Sequence, residues 1–144
     1  MSEDKNKTDI GSIDKLKAQV EADLALDRTN VLEEAQNNCV KYHRYLTLLY
    51  TEKANLSKLE DLRIKLNGKL YHYYKFEYDH KLASGTEISI YINKNDKMII
   101  INNNITIMKE KIKYIEGIIE CFKQRSFMIR NLIDVIKLEK EGFY

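Results

Sequence analysis

The sequence predicts a mostly α-helical protein built from long antiparallel helices with heptad-like seams. Three observations carry this. The chain has 144 residues with no proline and only 5 glycines, so few positions force a helix to break. Charged residues make up 32% of it and hydrophobic ones 44%, a mix that suits exposed amphipathic helices better than a thick globule. Apolar residues also recur at alternating spacings of three and four over two long stretches.

The opening MSEDKNKTDIGS is polar and without periodicity, so residues 1–11 read as a disordered tail and residues 12–144 as a single helical domain. It matches neither a signal peptide nor a transit peptide. A first helix is expected from Ser12 to Leu26, with Ser12 as its cap and Ile13, Leu16, Val20 and Leu24 on one face. In DRTNVLEE, Asn30 and Glu33 have the spacing of a capping box. Glu33 and Glu34 then occupy the first turn, where the macrodipole favours negative charge. An apolar stripe follows through Leu32, Ala35, Cys39, Tyr42, Leu46, Leu49 and Leu56, then Leu59, Leu62, Leu66, Leu70 and Tyr73. It predicts one long helix, or two in line, reaching Asp79. Asn67-Gly68 is its weak point, because a mid-helix glycine costs about 1 kcal/mol relative to alanine.

Downstream, Ser84-Gly85 marks a turn. Ile88, Ile90 and Ile92 alternate with Ser89 and Tyr91, which predicts a short β segment over residues 86–92. A lone strand needs a partner, within the chain or from another subunit. From Met98 the spacing returns to three and four through Ile101, Ile105, Met108, Ile112, Ile115, Ile119 and Phe122, and resumes at Ile129, Ile133 and Ile136. This predicts a helix of about forty residues, interrupted near Arg125-Ser126. A seam so long needs a partner along its length. The preceding helix supplies one and further subunits could supply more, so Ile105, Ile112, Ile115, Ile119, Phe122 and Phe127 are the candidate oligomerisation residues.

The chemistry of catalysis is missing. There is no glycine-rich phosphate loop, nucleophile elbow or His-Glu-x-x-His. His43, His72 and His80 do not form a convergent ligand set, and Cys39 and Cys121 lack zinc-site spacing. The two cysteines read as small hydrophobes on apolar helical stretches, in an intracellular protein without disulfides. No run of 18 apolar residues suggests a membrane span. No enzyme activity, cofactor or metal is therefore expected, and no membrane partner.

Residues 65–78, KLNGKLYHYYKFEY, carry the functional signal. Net charge is only +2, yet cations are concentrated around this stretch, behind an acidic N-terminal third. On a helix, Lys65, Lys69 and His72 share one stripe that Phe76 continues, while Tyr71, Tyr74, Lys75 and Tyr78 form another face. Tyr73 falls in phase with the apolar seam and reads as core. The remaining rings cannot all point inward. Cations that track phosphates beside rings that stack on bases are what a single strand of nucleic acid requires. The candidate contacts are Lys65, Lys69, Tyr71, His72, Tyr74 and Lys75, with a second basic set at Arg125 and Arg130 in CFKQRSFMIR. That second set resembles a solvated helix face. Tyrosine is also enriched in subunit interfaces, so these residues leave open a second reading, a coiled-coil homo-oligomeric scaffold without nucleic-acid binding.

Three patches in order resemble the UvsY family of bacteriophage recombination mediators. They are DRTNVLEEAQNN at residues 27–38, GKLYHYY at 68–74 and FKQRSFMIRNLID at 122–134. In the first, Asp27, Thr29, Leu32, Glu34, Ala35 and Asn38 fit the family's pattern. In the third, Arg125, Phe127 and Ile129 do, and EGF near the C-terminus is similar to the family's ending. In the middle patch Lys69 matches a basic position, and Leu70 and Tyr73 match a leucine and a tyrosine. Asn67 stands where a lysine is often found. The resemblance implies a small helical homo-oligomer that binds single-stranded DNA in the cytoplasm of an infected bacterium. It also implies partners, a phage recombinase and a single-strand-binding protein, and a role in loading the first onto strands covered by the second. No cofactor is implied.

Overall fold

The computed structural model describes residues 3–82 and 84–142, with side chains from Ile13 onward. Helix α1 spans Glu3–Leu24, α2 Val31–His72, α3 Gly85–Lys94 and α4 Asp96–Glu141, and a π-helical segment, Tyr73–Glu77, continues α2. Helix α1 therefore starts inside the stretch expected to be a tail; residues 1 and 2 lie outside the described residues. Helix α4 runs through Arg125-Ser126 without interruption, and α2 runs through Gly68.

The chain divides into two compact units. One comprises Met1–Leu49 with Lys113–Tyr144, the other Tyr50–Ile112. Within each, α2 and α4 run antiparallel. In the first unit Asn38 meets Arg125 and Tyr45 stacks on Phe122. In the second Glu52 meets Lys111 and Glu60 meets Lys109.

The core of the first unit is Val20, Val31, Tyr45, Leu49, Ile115, Ile118, Ile119, Phe122 and Ile129. Each such side chain contributes roughly 1.5–3 kcal/mol on burial. Three polar residues are buried with them: Glu34, Asn38 and Arg125. The Arg125 guanidinium donates to the carbonyls of Leu24 (3.2 Å) and Ala25 (2.9 Å), to Asn38 Oδ1 (2.9 Å) and to Glu34 Oε2 (2.8 Å). Lys41 Nζ donates to the Asp23 carbonyl (3.2 Å) and to both Glu34 oxygens. The last carbonyls of α1, which have no partner inside their own helix, are thus taken by cations from α2 and α4. Burial raises the Glu34 pKa, but hydrogen bonds from Lys41 and Arg125 outweigh it and hold the carboxyl below its usual range. Tyr45 donates to Asp23 Oδ2 at 2.6 Å, and burial together with that carboxylate pushes the phenol well up.

The connection from α1 to α2 is closed by its own side chains. Asp27 Oδ1 accepts from the Thr29 amide (2.7 Å), the Thr29 hydroxyl and the Asn30 amide. These bonds lower the Asp27 pKa. Asn30 stands at the N-cap of α2, as the sequence indicates, with its carbonyl accepting from Glu34. Its side-chain oxygen turns back to the Asp27 amide (2.8 Å).

Three expectations are corrected here. Residues 86–92 are helix, not strand: Ile88 and Ile92 are buried, whereas Ile90 is 48% exposed. An i, i+4 pair has captured the core, and Ser84 caps the helix by accepting from the Glu87 amide at 3.3 Å. Along the first half of α2, the inward face is Val31, Glu34, Asn38, Tyr45 and Leu49, while Leu32, Ala35 and Cys39 are exposed. A hydrophobic pattern overlooks a polar residue buried by pairing. Cys39 and Cys121 are both exposed and free rather than packed as small hydrophobes. Among the described residues, no helix is long and apolar enough to cross a membrane.

Candidate nucleic-acid interface

The rings of residues 71–78 lie in the second unit, where α2 passes into the π-helical segment. There the Tyr78 amide bonds to the Tyr73 carbonyl at 2.9 Å, five residues back. Such wide turns are rare and concentrate at functional sites. Leu66, Leu70 and Tyr74, spaced by four, pack against a core of Ile88, Ile92 and Met98. The wide turn suits that spacing. Tyr74 is consequently half-buried, as is Tyr78, and Tyr73, expected in the core, is 42% exposed.

The segment sorts its rings into two groups. In the inner one, Tyr74 lies 5.1 Å from Tyr73, 5.3 Å from Tyr78 and 5.7 Å from Tyr91 of α3. Tyr78 also touches Tyr91 and His80. Tyr74 accepts a hydrogen bond from Asn95 at 3.3 Å. Partial burial and the neighbouring phenols raise the Tyr78 pKa. The outer group faces solvent. Lys75 Nζ stands 5.5 Å from the centre of the Tyr71 ring and 5.4 Å from that of Phe76. His72 packs on Phe76 at 5.0 Å. Phe76 is 67% exposed and Tyr71 40%. Cation–π attraction between Lys75 and these rings holds the group together in water.

Lys65 and Lys69 are exposed on α2. Among the described residues, neither they nor Lys75 has a carboxylate partner, whereas His72 lies 3.9 Å from Glu77. The structure therefore brings Lys65, Lys69, Tyr71, His72 and Lys75 to solvent in one unit and turns Tyr74 inward. Sequence reasoning left Phe76 out of the contact set and missed the inner partners His80 and Tyr91. The capping-box spacing of Ser84 and Glu87 was the signal that would have made α3 a helix and brought Tyr91 to the cluster.

Arg125 and Arg130 belong to the other unit and part company. Arg130 is exposed. Arg125 is 2% exposed and has no surface to offer a phosphate, because its guanidinium is used on α1 and Glu34. The oligomerisation set also needs correction. Ile105, Ile112, Ile115, Ile119 and Phe122 are 0–7% exposed within one chain, so their seam is closed by the protomer itself. Phe127 remains outside, at 62%.

Comparison with curated proteins returns no match. Crystal structures of the bacteriophage T4 recombination mediator protein UvsY do resemble the chain. One, in lattice type IV, superposes with a TM-score of 0.78 at 18% identity, over 88% of this chain and 97% of that one. Lattice type I gives 0.77 at 18% identity, over 87% and 98%. Lattice type II gives 0.76 at 17%, over 88% and 96%. These show the fold. A family model, "Recombination, repair and ssDNA binding protein UvsY", matches residues 19–142. The helix-end clasp and the ring-bearing segment both fall within that span, and the chain belongs to the UvsY family.

Proposed function

We propose that the protein is a single-stranded-DNA-binding recombination mediator, acting as a homo-oligomer in the cytoplasm of an infected bacterium. It helps load a phage recombinase onto strands covered by single-strand-binding protein. The observation that carries the strand-binding part is the exposed face of the second unit, where cations without a carboxylate partner among the described residues share a segment with exposed rings. Lys65, Lys69 and Lys75 meet phosphates, and Phe76 and Tyr71 offer faces to bases. Recombinase loading rests on membership of the family.

Self-assembly has support of its own. Helix α4 carries a second apolar row, Ile100, Ile107, Tyr114, Met128 and Val135, at multiples of seven residues, every member at least 37% exposed. A repeat of this kind is the seam of a helix that pairs with another. It replaces the buried isoleucines as the candidate contact between copies. The same row would serve a scaffold that touches no DNA, so the two readings divide on strand binding alone.

Titration with a fluorescent oligo-dT at several salt concentrations tests the proposal. Binding should weaken steeply with salt, as counterion release requires. Lys69→Ala should lower the salt slope, and Phe76→Ala should remove about 1–3 kcal/mol of stacking. Absence of binding at low salt would leave only the scaffold.

A further inference from the structure

We propose that the groove between the start of α2 and the end of α4 is a docking site for an acidic peptide with apolar anchors, presented by another protein. The groove lies within the first unit, whereas the residues proposed to bind a strand belong to the second. Its volume is about 610 Å³, within the range of sites that hold several side chains. Val31, Leu32, Ile133 and Ile136 give it aliphatic walls. Leu32 is 71% exposed, so the chain leaves uncovered at this groove an apolar side chain of the kind it buries elsewhere.

The charge at the groove selects the occupant. Lys137 and Lys140 line it and are exposed. Among the described residues neither has a carboxylate partner. Glu139, the one acid of the lining among the described residues, is gripped by both guanidinium nitrogens of Arg28, one of them at 2.6 Å. Its charge is thus spent within the groove, and two cations remain uncompensated. Each stands one helical turn from a wall residue, Lys137 above Ile133 and Lys140 above Ile136. A peptide that lays apolar side chains on the isoleucines meets a cation beside each one. Basic peptides are repelled by the same arrangement. Among the described residues the lining has no aromatic ring, so they offer no stacking surface of the kind that an unpaired strand uses.

The test uses the full chain and a labelled synthetic peptide of repeated Asp-Asp-Leu-Leu, with Lys-Lys-Leu-Leu as control, followed by fluorescence anisotropy. The acidic peptide should bind and the basic one should not. Lys137→Glu combined with Lys140→Glu should weaken binding by roughly tenfold or more, and Leu32→Ser should weaken it as well. These side chains are exposed, so circular dichroism should stay unchanged. Equal binding by all variants would overturn the proposal. So would dissociation of the assembly by Leu32→Ser in sedimentation, which would make the groove a contact between copies. Displacement of the peptide by oligo-dT would overturn it too, by showing a general polyanion site. Lys69→Ala separates the two proposals, since it should impair oligo-dT binding and leave peptide binding intact.

Discussion

The guanidinium of Arg125 bonds two main-chain carbonyls, an amide oxygen and a carboxylate, and Phe122 lies under it at 5.8 Å. Removing one partner of such a buried set leaves the others unpaired, which typically costs about 3–5 kcal/mol. Arg125→Met should destabilise the chain by that order in urea denaturation. Glu34 adds a dependence on pH. Its folded pKa lies below its ordinary value, about 4.3 in an unfolded chain. The stabilisation is therefore complete above that value and is lost as pH falls through the lower folded one. Stability measured from pH 6 downward should fall less steeply in Glu34→Gln, which has no proton to take up there. At this scale the sequence was readable only in part. Arg125 and Arg130 stand in the same basic run, and nothing in that run tells a buried guanidinium from a solvated one. The difference comes from Glu34 and Asn38, far away in the chain.

Among the helices, legibility followed the kind of side chain that faces inward. The α4 seam was plain because Met98, Ile105, Ile112, Ile115, Ile119, Phe122 and Ile129 are buried and apolar. The first half of α2 was misplaced by one residue because Glu34 and Asn38 occupy inward positions that a hydrophobic pattern assigns to Leu32, Ala35 and Cys39. In α3, Ile88, Ile90 and Ile92 fit an alternating period as well as a helical one; the Ser84 cap and packing against Leu66 and Leu70 decide for the helix. Gly68 is a site for improvement. It lies within α2, and a Cβ built there meets nothing within 4 Å. Gly68→Ala should therefore gain about 1 kcal/mol of helix stability. In a domain of this size that is a rise in Tm of roughly 2–4 °C, readable by calorimetry.

For the molecule as a whole, +2 is a small net charge, and the proposed binding of a polyanion would rely on a local cluster presented many times. Each further contact along a strand is then intramolecular, and avidity replaces affinity. The affinity for oligo-dT should consequently rise sharply once the oligonucleotide is long enough to reach a second copy. A smooth, gradual rise with length would mean that copies act singly. The helical class and the family were both legible, because long three-four spacing and three ordered patches survive in the linear text. The exposed row from Ile100 to Val135, proposed as the contact between copies, was not, because the buried seam carries the stronger apolar pattern.

The clasp on α1 also has a consequence in time. The carbonyl of Leu24 waits for a guanidinium 101 residues further along. At a synthesis rate of roughly 5–20 residues per second, the ribosome needs about 5–20 s to supply it. The first helix made is thus fastened by the last, and a nascent chain halted before Arg125 is left with that end open to proteases.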